Sequence, residues 1–212
     1  MRQCPILYHG TDARIVRMGE EKRKQHKEYC DLAIDYMWPY YEQFSVGCFR
    51  DNLLMTLLEN DSRLFSDVKA SLRSIRLMRD GHSQFQYQND SLYLTCNKEL
   101  ARAFAKQSFA FGEKGFFAYT LIKVAPIMAF KEWNPKGEIA DAINTIETFA
   151  KGIAEPVIFE FSNLELGNMV DDHDMPVKLP DSDEDFIIPC VFRVVRYTKP
   201  IVLDLNKSIP VH

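Results

Sequence analysis

What most constrains this chain is the way its apolar residues change period, from two near the start to 3.6 in the middle and back again. The first apolar run, Cys4-Pro5-Ile6-Leu7-Tyr8, is of strand type and stops at His9-Gly10-Thr11. A Gly at a strand end has no Cβ, so a ligand can approach the main chain there. Residues 14 to 28 are strongly charged, with Arg14, Arg17, Lys22, Arg23, Lys24 and Lys27. Tyr29, Leu32, Ala33, Tyr36 and Met37 then fall on one helical face, and Pro39 is expected to end that helix near Trp38. A second helix is predicted over Asp51–Glu59. A third starts near Ser62, carries Leu64, Phe65, Val68, Leu72 and Ile75 on one side, and closes at Arg79-Asp80-Gly81, with Gly as the C-cap. Residues 18–80 therefore read as a helical block set after the first strand.

Strand character resumes with Phe85 and Tyr87, a turn at Asn89-Asp90, and a short strand over Ser91–Thr95. Asn97 and Glu99 suit the first turn of a helix striped by Leu100, Phe104, Ser108 and Phe111. Gly112 and Gly115 are expected to break it, and the near-continuous apolar run Phe116–Ala125 reads as a strand. Pro135-Lys136-Gly137 opens a helix with Ile139, Ala142, Ile143, Ile146 and Phe149 in phase. Strand-like runs follow at Pro156–Phe161, Phe186–Val195 and Ile201–Leu205. Between the first two, residues 165–185 are polar and acidic, opposed only by Lys178, and read as a solvated loop. The fold class expected is α+β, as one domain over residues 1–212.

Other features bound the function. With 212 residues, 46% of them hydrophobic, the chain has enough apolar surface for one large core. A net charge of −4 does not point to a polyanion partner. The apolar runs are too short for a membrane span, and no apolar signal segment precedes the first strand. Cys4, Cys30, Cys48, Cys96 and Cys190 are scattered without a Cys-x-x-Cys, which suits reduced thiols in a cytoplasmic protein. The histidines are scattered too, so no metal site is expected.

Three pieces lie in a telling order: Tyr8-His9-Gly10-Thr11, then Leu92-Tyr93-Leu94-Thr95 followed by a helix with Ala101, Phe104 and Ala105, then Asp183-Glu184-Asp185-Phe186-Ile187-Ile188-Pro189. Together they resemble the diphtheria-toxin-like and poly(ADP-ribose)-polymerase-like branch of the ADP-ribosyltransferases, which uses a His, a Tyr and a third, usually acidic, residue on three strands. The likeness covers about residues 1–12, 91–125 and 155–205. It implies a split β-sandwich core with residues 18–80 as an insertion. NAD would be the substrate, nicotinamide the leaving group, and a protein or nucleic acid the acceptor of a single ADP-ribose. A toxin-like or defence effector is the habit of small members.

The resemblance also implies roles. Catalysis would fall to His9, Tyr93 and Asp185, and NAD would be held by Tyr8, His9, Gly10, Thr11, Tyr93 and Phe104. The Gly10 backbone pairs with the carboxamide, Tyr93 stacks on nicotinamide with Phe104 opposite, and His9 holds a ribose hydroxyl. The chain departs from the family in three places. Asp185 stands where Glu is usual, Phe104 where a second Tyr is common, and Ala101 where a Ser usually holds the amide. Glu184 and Glu160 are alternatives for the carboxylate, since neighbouring strand residues face opposite sides. Arg14 and Arg17 are candidates for the NAD phosphates, and Lys69, Arg73 and Arg76 share a helix face that suits a nucleic-acid backbone. A binding module that holds NAD or ADP-ribose without turnover is the alternative reading.

Overall fold

The structure, a computed structural model, describes residues 6–42, 61–80, 92–128, 132–170, 176–177 and 194–211. They form an α+β protein with two compact units. The first joins residues 1–17, 81–108 and 154–212; the second joins 18–80 and 109–153. The helical part thus takes in a later stretch as well as residues 18–80.

In the first unit, strand β1 (Leu7–Asp12) runs into the short helix α1 (Ala13–Arg17). Strand β2 (Leu92–Leu94) leads into a helix over Lys98–Gln107, capped as expected by Asn97, whose side chain accepts from the amides of Glu99 and Leu100. Strands β3 (Pro156–Phe161), β4 (Met169–Val170), β5 (Val195–Tyr197) and β6 (Ile209–Pro210) complete two antiparallel sheets, ordered β1-β3-β6 and β2-β5-β4. Leu7, Leu94, Met169, Val195 and Tyr197 form one core cluster. The Lys98–Gln107 helix buries Ala101 and Ala105 against Ile158 and Val211, and leaves Leu100 and Phe104 only half-buried. Its inner face is set by alanines because it lies directly on Gly10. A Cβ there would come within 1.8 Å of the Ala101 carbonyl oxygen.

Two expectations change in this unit. The run Ile201–Leu205 is not a strand: Val202 is 94% exposed, and Asp204 accepts from the Asn206 amide to start a 3-10 turn over Leu205–Lys207. That local bond competes with strand pairing, and the strand comes later, as β6. The acidic stretch 165–185 is not all loop. Its apolar pair Met169-Val170 adds to β5, and Met169 is buried.

The second unit is helical among the described residues. Helix α2 spans Glu20–Glu42, α3 Ser62–Arg79, the next helix Gly112–Met128, and the last Glu138–Lys151. With the Lys98–Gln107 helix numbered α4, these last two are α5 and α6. Helix α2 does not stop at Pro39. An interior proline costs about 3 kcal/mol, but Trp38 and Tyr41 are buried, and Tyr41 donates its hydroxyl to the Leu121 carbonyl. Tertiary contacts hold the last turn.

The run Phe116–Ala125 lies within α5 and is not a strand. The helix packs against α2, α3 and α6, so it is apolar on most sides and its period disappears. Gly112 starts this helix: Phe111 and Gly112 take φ of 73° and 76°, a left-handed turn that redirects the chain. Helices α3 and α6 form where predicted, with Val68, Leu72 and Ile75, and Ala142, Ile143 and Ile146, buried. Among the described residues no helix is long and apolar enough to cross a membrane. The expected helix Asp51–Glu59, the Phe85 and Tyr87 strand, and most of Phe186–Val195 lie outside the described residues.

Candidate functional site

The candidate residues near the start of the chain come together where the two sheets meet. Tyr8 pairs with Thr95, exchanging both backbone bonds at 2.8 and 2.9 Å. Backbone groups alternate sides along a strand. Gly10 therefore turns its N–H and C=O to the side Tyr8 uses, and its partner by register would be Tyr93. Among the described residues no backbone bond joins Gly10 to Tyr93. Instead the Tyr93 carbonyl, at 2.8 Å, is bonded by the His9 Nδ1. Past the Tyr8–Thr95 pair the ladder between the two strands does not continue, and the His9 side chain meets the second strand instead.

That bond settles the tautomer of His9. A carbonyl oxygen only accepts, so Nδ1 carries the hydrogen. Burial of the ring lowers the His9 pKa, and the bond to the Tyr93 carbonyl raises it by less. The neutral imidazole then offers its Nε2 lone pair as an acceptor, suited to a hydroxyl donor such as a ribose.

Tyr93 is half-buried and stands opposite Arg196 of β5. Its neighbours Leu92 and Leu94 belong to the core cluster, so Tyr93 lies on the other face of that sheet. Phe104 is half-buried on α4. Thr11 is buried. Tyr8 packs on the Ala101 and Ala105 cluster, and Lys98 Nζ lies 5.5 Å from its ring centroid. Burial and the nearby Glu160 and Cys96 raise the Tyr8 pKa, so its phenol stays protonated at neutral pH.

Three expectations shift. The close approach at Gly10 is made by helix α4 on one face, which leaves a ligand the strand edge. Glu160 is exposed and lies 4.0 Å from Lys98 Nζ, so it does not point inward. Arg14 and Arg17 are in helix α1 and are engaged: Arg14 forks onto Asp12 at 2.8 and 2.9 Å, and Arg17 pairs with Glu155. Asp185 and Glu184 lie outside the described residues.

Sequence reasoning passed over Asp12. It is fully buried, and its carboxylate accepts from the Arg14 amide and guanidinium and from the Glu155 amide. It braces the far end of β1 against β3, and Asp-x-Arg at a strand end was the available signal. Arg196 was passed over too, though the alternation Val195-Arg196-Tyr197 set it on the face opposite the core. Residues brought together are thus Tyr8, His9, Gly10, Tyr93 and Thr95, on an α+β scaffold. No protein-family model matches this chain, and no curated protein or solved structure matches it either.

Proposed function

We propose that this chain is an NAD-dependent ADP-ribosyltransferase that moves one ADP-ribose onto a macromolecule and releases nicotinamide. The observation that carries the reading is the end of the β1–β2 ladder after the Tyr8–Thr95 pair, with His9 bonded to the Tyr93 carbonyl beyond it. A carboxamide has one donor edge and one acceptor edge, and the Gly10 backbone would offer the complement. Tyr93 would set the angle of the nicotinamide ring by stacking, with Phe104 on the helix that follows. His9 Nε2 would accept a ribose hydroxyl. The two small sheets would form a split β-sandwich.

The reaction breaks the bond between the ribose carbon and the nicotinamide nitrogen, and the electron pair leaves with nicotinamide. The acceptor nucleophile forms the new bond and gives up its proton. Positive charge on the ribose grows only on the way to the transition state, so a carboxylate beside it acts mainly there. Asp185 is assigned that role, with Glu184 as the alternative.

A second reading is a module that binds NAD or ADP-ribose without turnover. Ala101 favours it: the residue is fully buried against Gly10 and brings no hydroxyl to the amide. The test is incubation with NAD labelled in the adenylate half, together with a cell lysate, reading free nicotinamide and labelled macromolecule. Nicotinamide release with transferred label supports the transferase. Tight NAD binding with no release supports the module, and neither result rejects both.

A further inference from the structure

Helix α2 carries an aromatic cluster at the surface of the helical unit. Tyr36 and Tyr40, one turn apart, share a face of the helix. Trp133, from the segment before α6, packs on Tyr36 with ring centroids 5.7 Å apart and planes at 54°. Tyr40 meets Tyr36 at 6.2 Å and 68°. All three rings are half-buried, and Glu132, next to Trp133, is exposed. Burial raises the Tyr40 pKa, Tyr36 adds to the rise, and so does the negative charge of Glu132, which sets that carboxylate beside the rings. The same helix shows what such a combination holds. Arg79 Cζ lies 5.2 Å from the ring centroid of the buried Trp38, and the guanidinium pairs with Asp35. There an indole face and a carboxylate share one guanidinium, supplied by α3.

We propose that Tyr36, Tyr40, Trp133 and Glu132 form a docking surface for a protein partner, and that the group they receive is an arginine side chain. The faces of aromatic rings carry negative potential, strongest on an indole, and attract a cation laid over them. A guanidinium is flat and weakly hydrated, so it stacks on a ring at little desolvation cost, whereas a lysine ammonium is compact and holds its water. Glu132 adds a full negative charge at the edge of the rings, so the surface is complementary to a cation and unsuited to an anion. Tyr, Trp and Arg are also the side chains that carry most of the energy where proteins meet. The inference is independent of the NAD reading, because all four residues belong to the helical unit.

The experiment titrates the full chain with capped glycine-serine peptides that carry a single arginine, lysine or citrulline, reading tryptophan emission. The chain has two tryptophans, and Trp38 is buried, so Trp133 is the reporter. The arginine peptide should bind about five- to thirtyfold more tightly than the citrulline peptide, which keeps the shape without the charge, and the lysine peptide should fall between them. Glu132→Gln should weaken the arginine peptide by about two- to fivefold, the worth of an exposed ion pair, and leave the citrulline peptide unchanged. Trp133→Phe should abolish the emission change. Equal affinity for arginine and citrulline overturns the proposal, as does lysine binding as tightly as arginine, parental arginine affinity in Glu132→Gln, or an emission change that survives in Trp133→Phe. Failure of every peptide to bind the parent overturns it as well. Circular dichroism checks the fold of each variant, and if Trp133→Phe does not fold, the exposed Glu132→Gln decides.

Discussion

Tyr93 and the carboxylate have separable duties, and single substitutions tell them apart. If Tyr93 stacks on nicotinamide, Tyr93→Ala should lose about 1–3 kcal/mol of NAD binding from the lost burial of the ring, while Tyr93→Phe binds nearly as the parent does. Equal loss in both variants, read by calorimetry, would assign the role to the hydroxyl. Asp185→Asn should keep NAD affinity and lower nicotinamide release by on the order of a hundred- to a thousandfold, the usual cost of one preorganised electrostatic partner. Measuring Glu184→Gln and Glu160→Gln beside it locates the carboxylate, because a dead variant other than Asp185→Asn moves the role. His26 makes a different residue-scale prediction. It is buried between Phe111, at 4.1 Å, and Phe149, at 5.2 Å, and burial lowers its pKa to about 4. Its Nε2 has no hydrogen-bond partner among the described residues. The unfolded chain binds a proton near the ordinary 6.5 and the folded chain does not, so its contribution is intact above pH 6.5 and fades as pH falls toward 4. The shift corresponds to about 3 kcal/mol across that window. Urea unfolding of the parent and His26→Phe at both ends should show a pH-dependent gap between them; a constant gap would place the ring in water.

At the scale of elements, the seat of helix α4 on strand β1 is the most exposed to substitution. A methyl group at Gly10 would meet the Ala101 carbonyl oxygen at 1.8 Å and the Ala105 amide nitrogen at 2.9 Å, both backbone atoms that cannot rotate away. Gly10→Ala should therefore cost at least the roughly 1–3 kcal/mol of an overpacked core, read as a fall in the denaturation midpoint. Unchanged stability would mean that α4 does not sit on β1. The same contact explains which face of α4 the sequence could and could not reveal. Leu100 and Phe104 look like the buried stripe because they are large, but close approach over a glycine selects the alanines. Helix α5 makes the complementary point: packed by α2, α3 and α6, it is apolar on most sides, and a run with no polar face reads as a strand or a helix equally well.

For the whole molecule, the helical block carries the prediction about the acceptor. Lys69, Arg73 and Arg76 are exposed on α3. Reversing all three charges should leave NAD hydrolysis as in the parent and reduce transfer to the acceptor; loss of hydrolysis in a folded variant would place α3 in the NAD site. How much of the molecule was legible follows from the range of the forces involved. Local signals determined α2, α3, α4 and α6, the strands β1, β2 and β3, and the Asn97 cap, because periodicity and capping act within a few residues. The motifs around His9 and Tyr93 were legible as residue types for the same reason. Tertiary structure alone decided that α2 passes through Pro39, that Phe116–Ala125 is helical, and that Met169-Val170 joins β5, since burial by distant segments outweighs local preference. It alone decided that Arg14 belongs to Asp12 and that Glu160 faces solvent. Strand register also decided that the β1–β2 ladder ends before Gly10 and Tyr93 would have paired. Register depends on hydrogen bonds between residues more than eighty positions apart, such as His9 with Tyr93, and no local pattern encodes them.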